Sequence, residues 1–317
     1  MAASDHTVAS DLRLLTWNIC YKTTDPGLDQ AASLLLSLAP SLVLLQEVTP
    51  RAFNRLKHRL SPQFPHPLQG KGCAIFSSLP LTEVARGKWR NRGFLSARLE
   101  VAGQPLVVTS LHLEAGLEGR RLLELAEVAR QLGEPLARDE EQVWAGDFNS
   151  LRRQDYSVQE WEEVGRRRKE ARLEAPQLAV TSRMTELGFR ECGEEVELGG
   201  GGDTCNFGTR VDYVYCSRAM RRKWECRVLE HLERGPSDHR PVLASFRRRE
   251  EGMVEMEESD GGLSREELEA RLMAAYEGVA EQPVTSLYRF CEARGWQQPQ
   301  FTWLTDKCQV TWLLLPQ

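Results

Sequence analysis

The stretch "EQVWAGDFNS", residues 141–150, decides the fold. Val143, Trp144 and Ala145 make an apolar run of the kind found in a strand buried on both faces, and Gly146 closes it. Asp147 and Asn149 follow where that strand must end. A buried carboxylate is costly unless it is paired or coordinates a cation, so its position calls for partners. Other apolar runs carry polar groups at the same place. "LRLLTWN" (12–18) ends on Asn18, "SLVLLQE" (41–47) ends on Glu47, and "PLVVTSLHL" (105–113) carries His112 near its end. "RVDYVYCS" (210–217) opens with Asp212, and Ser237, Asp238 and His239 precede "RPVLASF" (240–246). Polar groups repeated at strand ends predict one shared site at one rim of the sheets.

The intervening pattern supplies the layers. "LDQAASLLLSLA" (28–39) reads as a helix stopped by Pro40, so the chain opens as a βαβ unit. Strands follow at "GCAIFSS" (72–78) and "FLSARLEV" (94–101), the latter joined to 105–113 by a tight hairpin at Ala102-Gly103-Gln104. A helix is predicted over "EGRRLLELAEVARQLG" (118–133), where Leu122, Leu125, Ala126 and Ala129 recur at helical spacing and Gly133 marks the end. A charged helix over 157–174 and a strand at "ECRVLEHLE" (225–233) complete the order. Two sheets packed face to face with helices outside accommodate it.

Composition sets the outer limits. A chain of 317 residues, 41% hydrophobic, has material for one large core and an appendage. The formal net charge of −5 gives no global basic excess, so an anionic partner must be held locally. "SLLLSLAPSLVLL" (33–45) is divided by Pro40 and too short to span a bilayer, so no membrane association is expected. The eight cysteines show no metal-ligand spacing and no signal peptide precedes them, which predicts a reduced intracellular compartment, cytoplasm or nucleus, without structural zinc. A monomer is expected.

The residue types fit phosphodiester chemistry. Mg²⁺, or Mn²⁺, prefers one or two carboxylates, with water and phosphate oxygens completing its shell, a role open to Glu47 with Asp238. Asp147 is suited to orient or deprotonate a water, and Asn149 to fix that water or donate to phosphate. His112 and His239 can donate to nonbridging oxygens, and Asp212 can hold one of those rings in its tautomer.

"TWNI" (16–19), "LQEV" (45–48), "GDFN" (146–149) and "SDHRP" (237–241), in this order with "HLE" and "RVDYV" between them, resemble the endonuclease/exonuclease/phosphatase superfamily, and within it the tyrosyl-DNA phosphodiesterase 2-like and related uncharacterised branches. The resemblance covers roughly residues 12 to 247. It implies an α/β four-layered sandwich of two mainly antiparallel sheets flanked by helices. It also implies Glu47 as metal ligand, Asn18 and Asp238 near the metal, and Asp147 and Asn149 around the nucleophilic water. His112 and His239 become phosphate contacts, and Asp212 the partner of His239. Apurinic endonucleases of the superfamily carry a lysine soon after the glutamate, whereas Val48 and Thr49 stand here; the acidic element after GDxN in the tyrosyl-DNA branch has only a shifted Asp155. The expected function is Mg²⁺-dependent phosphodiester hydrolysis in DNA or RNA. The alternatives are a nucleic-acid-binding protein with a weak or inactive phosphodiesterase-like domain, and an inositol or lipid phosphate phosphatase.

Substrate contacts are expected from Arg152 and Arg153, directly after the catalytic turn, and from Arg92 by family analogy. "GRRRKEAR" (165–172) reads as a solvated helical face, and "ELGGGGDTCNF" (197–207) as a flexible loop beside the site. The catalytic domain is expected over residues 10–248 and an acidic linker over 249–263. Residues 264–317 are expected to form a small α+β appendage, a helix capped by Ser264 and Glu267 followed by a part resembling the opening half of a double-stranded RNA-binding domain. That resemblance implies contact with structured RNA.

Overall fold

A computed structural model describes residues 11–249, apart from 91, 134–135, 137, 194–201 and 230–234, together with strands at 300–304 and 307–311. The opening βαβ unit is present: β1 (Asp11–Asn18) and β2 (Leu42–Val48) run parallel, connected by α1 (Asp25–Leu38). Thr24 caps α1 through its hydroxyl, Pro26 sits in the first turn, and Ala39 leaves it at φ 45° before Pro40. α2 (Pro50–Leu60), which the apolar runs did not signal, starts the same way, with Thr49 accepting from the Ala52 N–H and Pro50 in its first turn.

β1 and β2 join β3 (His66–Gln69), β4 (Gly72–Ser77), β11 (Trp224–Leu229) and β12 (Val242–Arg248) in a six-stranded sheet of order β11-β12-β1-β2-β4-β3. The second sheet holds β5 (Thr82–Trp89), β6 (Arg92–Val101), β7 (Gln104–His112), β8 (Glu141–Asp147), β9 (Phe189–Glu191) and β10 (Asp212–Ser217), in the order β5-β6-β7-β8-β10-β9. Each sheet has one parallel pair, β1–β2 and β7–β8, and is otherwise antiparallel. β6 and β7 are joined through Ala102 and Gly103, both at positive φ as a two-residue type I′ turn requires.

Strand alternation explains why the central runs are apolar throughout. Leu14, Leu42 and Leu44 point into the core between the sheets with Ala97, Val108, Val143 and Val214, whereas Leu15, Trp17, Val43 and Leu45 face α1 and α2 with Leu28, Leu35 and Leu56. Burial of each such side chain contributes roughly 1.5–3 kcal/mol, so both faces are anchored and a one-residue slip in register is strongly disfavoured. The described helices are completed by α3 (Glu118–Gln131), α4 (Val158–Glu170), α5 (Ala179–Glu186) and α6 (Arg218–Lys223). α4 opens with a reciprocal capping box of Ser157 and Glu160. Helices flanking two face-to-face sheets make the α/β sandwich expected from the sequence. Among the described residues no helix is long and apolar enough to cross a membrane.

The chain divides into two units, Met1–Leu268 and Glu269–Gln317. In the second, β13 (Gln300–Leu304) and β14 (Lys307–Thr311) pair antiparallel. The acidic linker after Arg249 and the helix beginning at Ser264 fall outside the described residues, as do residues 199–201 of the glycine run 199–202. A single hairpin is common to many folds, so the resemblance of the tail to a double-stranded RNA-binding domain gains no support from it.

Candidate active site

Strand direction and register assemble the site. β1 and β2 run parallel, so Asn18 and Glu47 reach the same rim. β7 and β8 run parallel with His112 opposite Asp147, and β10 runs antiparallel to β8 with Asp212 opposite Asp147. His112, Asp147 and Asp212 are therefore three neighbours in one row across the second sheet. β12 pairs antiparallel to β1, which brings the segment just before it, with Ser237, Asp238 and His239, to the end of β1. There the Ser237 hydroxyl donates to the Asn18 carbonyl at 2.6 Å and accepts from the His239 N–H at 3.1 Å, while the Trp17 indole donates to the His239 carbonyl at 3.0 Å.

The turn of GDFN is shaped by Gly146 and Asn149. Gly146 has φ 149°, and a Cβ there would lie 2.0 Å from the Leu111 carbonyl oxygen of β7, so only glycine lets the two parallel strands close at this point. Asn149 sits at φ 49°, a region asparagine tolerates, and its backbone N–H donates to Asp147 Oδ1 at 2.9 Å. Its side-chain amide donates to the Leu113 carbonyl at 3.0 Å. Glu47 also has positive φ, 58°, at a bulge where β2 slips against β4 between Gln46 and Val48. Such a conformation costs a non-glycine residue roughly 1–3 kcal/mol and commonly marks a functional position.

Asn18 links the two sheets across the rim. Its side-chain amide donates to Glu47 Oε1 at 3.3 Å and to Asp147 Oδ2 at 3.0 Å, and its side-chain Oδ1 accepts from the Cys20 N–H. The Tyr21 backbone N–H donates to Glu47 Oε2 at 2.9 Å. Asp147 Oδ2 lies 3.5 Å from His112 Nε2 and 3.9 Å from His239 Nε2, and His239 Nδ1 is 2.8 Å from Asp212 Oδ2.

Burial and charge set the protonation states. Asp147 is raised above the ordinary carboxylate range, first by burial and then by Asp212 beside it. Burial holds His112 down at about 4 against the pull of Asp147, so the ring is neutral near pH 7. His239 is also penalised by burial, but the Asp212 carboxylate and its hydrogen bond, helped by Asp147, outweigh that and hold it up at about 11. The site thus carries a neutral and a charged imidazole around one carboxylate. His112 Nδ1 and Asp212 Oδ1 are buried without a hydrogen-bond partner.

The donor set suits a hard cation. Glu47, Asp147, Asp212 and exposed Asp238 bring four carboxylates to this rim against the imidazolium of His239, and the oxygens are of the type Mg²⁺ prefers. Asp147, Asp212 and His239 offer ligand atoms within 4.8 Å of one another, a group that leaves out Glu47 and Asp238. That trio and, across the Asn18 bridge, half-buried Glu47 with exposed Asp238 are the two groups at this rim that could hold a cation.

The expected arginines separate. Arg92 pairs with Glu114 close enough to His112 to oppose its protonation, so it stands near the site with its charge already matched. Arg153 donates to the Tyr156 carbonyl and lies over the Trp161 ring, 5.4 Å from its centroid. Arg152 corrects the expectation of a substrate contact: only 4% exposed, it is directed inward to Glu191 at 2.8 Å and Asp155 at 3.5 Å. Asp155 accepts from Arg210 and from the Tyr213 hydroxyl, so it belongs to this buried network. Arg166, the first basic residue of the run, pairs with Glu163 and Glu170 along its own helix, as a solvated face does, whereas half-buried Arg167 and Arg168 donate to the Phe207 and Glu174 carbonyls.

Sequence reasoning gave no role to three positioning groups, one of which, Ser237, it had placed at the rim. The Thr204 hydroxyl accepts from the Val211 and Asp212 N–H groups and places the start of β10. Ser237 and the Tyr21 N–H do the same for His239 and Glu47. The serine was signalled by its neighbours in "SDH"; nothing local distinguishes Thr204 or Tyr21. Beside Asp238 opens a cavity of about 550 Å³, lined among others by Lys22, Thr24, Gln30, Asn206 and Pro236.

A sequence profile described as the endonuclease/exonuclease/phosphatase family matches residues 15–239. Among solved structures, an endonuclease/exonuclease/phosphatase from Beutenbergia cavernae is similar with a TM-score of 0.55 at 20% identity, over 75% of this chain and 72% of that one. The human Nocturnin catalytic domain gives 0.56 at 15% identity over 76% and 95%, and a humanized D. rerio TDP2 gives 0.53 at 19% over 75% and 99%. These likenesses are of fold. No curated protein matches the chain in sequence.

Proposed function

This chain belongs to the endonuclease/exonuclease/phosphatase family, and from that premise we propose that it is a divalent-metal-dependent phosphodiesterase acting on nucleic acid. The observation that carries the reading is the row His112–Asp147–Asp212 with His239 folded onto it and Glu47 across the Asn18 bridge. Glu47, supported by Asn18 and Asp238, holds the cation, which when bound polarises the phosphate and screens its charge.

Asp147 takes the proton of the attacking water. Its raised proton affinity makes it a better base than an ordinary carboxylate, while Asn18 and the Asn149 N–H fix its orientation. His239, charged and held by Asp212, donates from Nε2 to a nonbridging oxygen as negative charge develops there. Neutral His112 donates from Nε2 on the other side of Asp147, and its buried, unpartnered Nδ1 is consistent with that tautomer. A nucleic-acid substrate is favoured over an inositol phosphate by Tyr21: the residue is 61% exposed three positions past the end of β1, with the Lys22 ammonium of the cavity rim 5.4 Å from its ring centroid, and offers a stacking face for a base.

The test is an assay of the chelator-treated and Mg²⁺-restored protein on labelled single-stranded and duplex DNA and RNA, a 5′-tyrosyl oligonucleotide and inositol phosphates. Hydrolysis of a nucleic-acid substrate that needs Mg²⁺ and drops about 100-fold or more in Glu47→Gln is expected. Turnover surviving chelation, or confined to inositol phosphates, overturns the assignment; binding without turnover on every substrate leaves a non-catalytic nucleic-acid binder.

A further inference from the structure

Three cysteines far apart in sequence meet at the opposite end of β10 from Asp212. Cys192 just past β9, Cys216 on β10 and Cys226 on β11 offer Sγ atoms that all lie within 4.8 Å of one another, with Cys192 and Cys216 3.6 Å apart. β9 and β10 form one edge of the second sheet and β11 one edge of the first, so the cluster spans the core between them. Cys192 and Cys216 are buried and Cys226 partly so. The other described cysteines, Cys20, Cys73 and Cys205, form no such group.

The triangle matches the demands of a thiophilic ion. Zinc–sulfur bonds of about 2.3 Å set sulfurs roughly 3.8 Å apart in a tetrahedral site and about 4.0 Å apart in a trigonal one. Side-chain adjustments of under about 1 Å bring the three sulfurs to that spacing. An all-sulfur donor set excludes Mg²⁺ and Ca²⁺ and selects zinc or cuprous ion. Arg190 and Arg221 act electrostatically on Cys216 and offset part of the charge that three thiolates carry.

We propose that Cys192, Cys216 and Cys226 bind one thiophilic d¹⁰ cation, zinc or cuprous ion, which ties the edge of one sheet to the edge of the other. On binding, each sulfur loses its proton to solvent and donates a lone pair, so three S–H bonds are exchanged for three metal–sulfur bonds and three protons are released.

The full chain, reduced and stripped with chelator, is titrated with Cd²⁺ as probe while the sulfur-to-cadmium charge-transfer absorption is followed. A band that saturates at one equivalent is expected, lost in Cys192→Ser and in Cys226→Ser, and kept in Cys20→Ser and Glu47→Gln. Competition with Zn²⁺ and with Cu⁺ then distinguishes the two ions, and the bound form melts several degrees higher because only the folded state assembles the site. Alkylation with and without Cd²⁺, mapped by mass spectrometry on the unmutated chain, should show these three thiols protected together, a readout that does not depend on the variants folding. Absence of the band, its persistence in both serine variants, or unprotected thiols overturns the proposal. None of these outcomes depends on hydrolysis, so the active-site assignment stands or falls separately.

Discussion

Two buried charge clusters adjoin β10 within two residues of each other, and they are built on opposite terms. Arg152, Arg210, Asp155 and Glu191 balance to zero: Arg210 reaches Glu191 at 2.6 Å and Asp155 at 3.3 Å, Arg152 reaches Glu191 at 2.8 Å, and the Arg210 guanidinium lies over the Tyr213 ring. Among the described residues, none of the four has a buried side-chain atom without a hydrogen-bond partner. The rim cluster crowds Asp147, Asp212 and Glu47 around His112 and His239 and keeps two orphaned polar atoms, while burial raises the central carboxylate of both clusters, Asp147 here and Glu191 there. A charge cluster that is fully compensated stabilises one conformation. One left unbalanced retains capacity to bind a cation, a proton or a phosphate.

The comparison breaks first on Asp147→Asn. Loss of the base should lower turnover by about 100- to 10,000-fold. Because folding disfavours ionisation of Asp147, removing its charge should leave the thermal midpoint at pH 7 equal or higher. A large fall in both rate and midpoint would place Asp147 in the structural class.

Glu191→Gln should do the reverse. Breaking a buried ion network by removing one partner costs about 3–5 kcal/mol, read as a lowered urea midpoint. Turnover per folded molecule should change only a few-fold. A selective loss of rate with stability intact would show that the network acts in the chemistry.

The two histidines sharpen the contrast through pH. His239, with a folded value of about 11 against 6.5 unfolded, contributes stability that is complete below pH 6.5 and is lost as pH rises toward 11. His112, at about 4 against 6.5, contributes stability present above pH 6.5 and lost as pH falls toward 4. Urea midpoints across pH 4–10 should therefore flatten on the alkaline side in His239→Asn and on the acid side in His112→Asn. The same alkaline slope in wild type and His239→Asn would remove the Asp212 pairing as its cause.

The smallest effect belongs to the exposed charges of α4. Arg166→Ala removes pairs that solvent already screens, so thermal midpoint and turnover should match wild type within error. A clear loss of nucleic-acid affinity would instead make that helical face a backbone contact.

Much of this architecture was legible before folding because strands announce themselves locally. The runs ending at Asn18, Glu47, His112 and Asp147 become the strand ends at the rim, since an apolar run terminates where its backbone meets solvent or a polar site. α2, β3, β5, β9, α5 and α6 went unread because their apolar residues are few or lie among charges, and burial against neighbours sustains them. Arg152 and Arg153 looked alike in "SLRRQ", yet one turns inward to Glu191 while the other meets Trp161.

The amino-acid sequence by itself determined which residues stand at strand ends and which family pattern they follow, because alternation and chain termination are properties of neighbours along the chain. Tertiary structure alone decided that His112, Asp147 and Asp212 share a row, that Arg152 is neutralised, and that Cys192, Cys216 and Cys226 converge. Charge compensation and ligand geometry depend on distances across paired strands and packed sheets, and those distances exist only once the register of the whole fold is set.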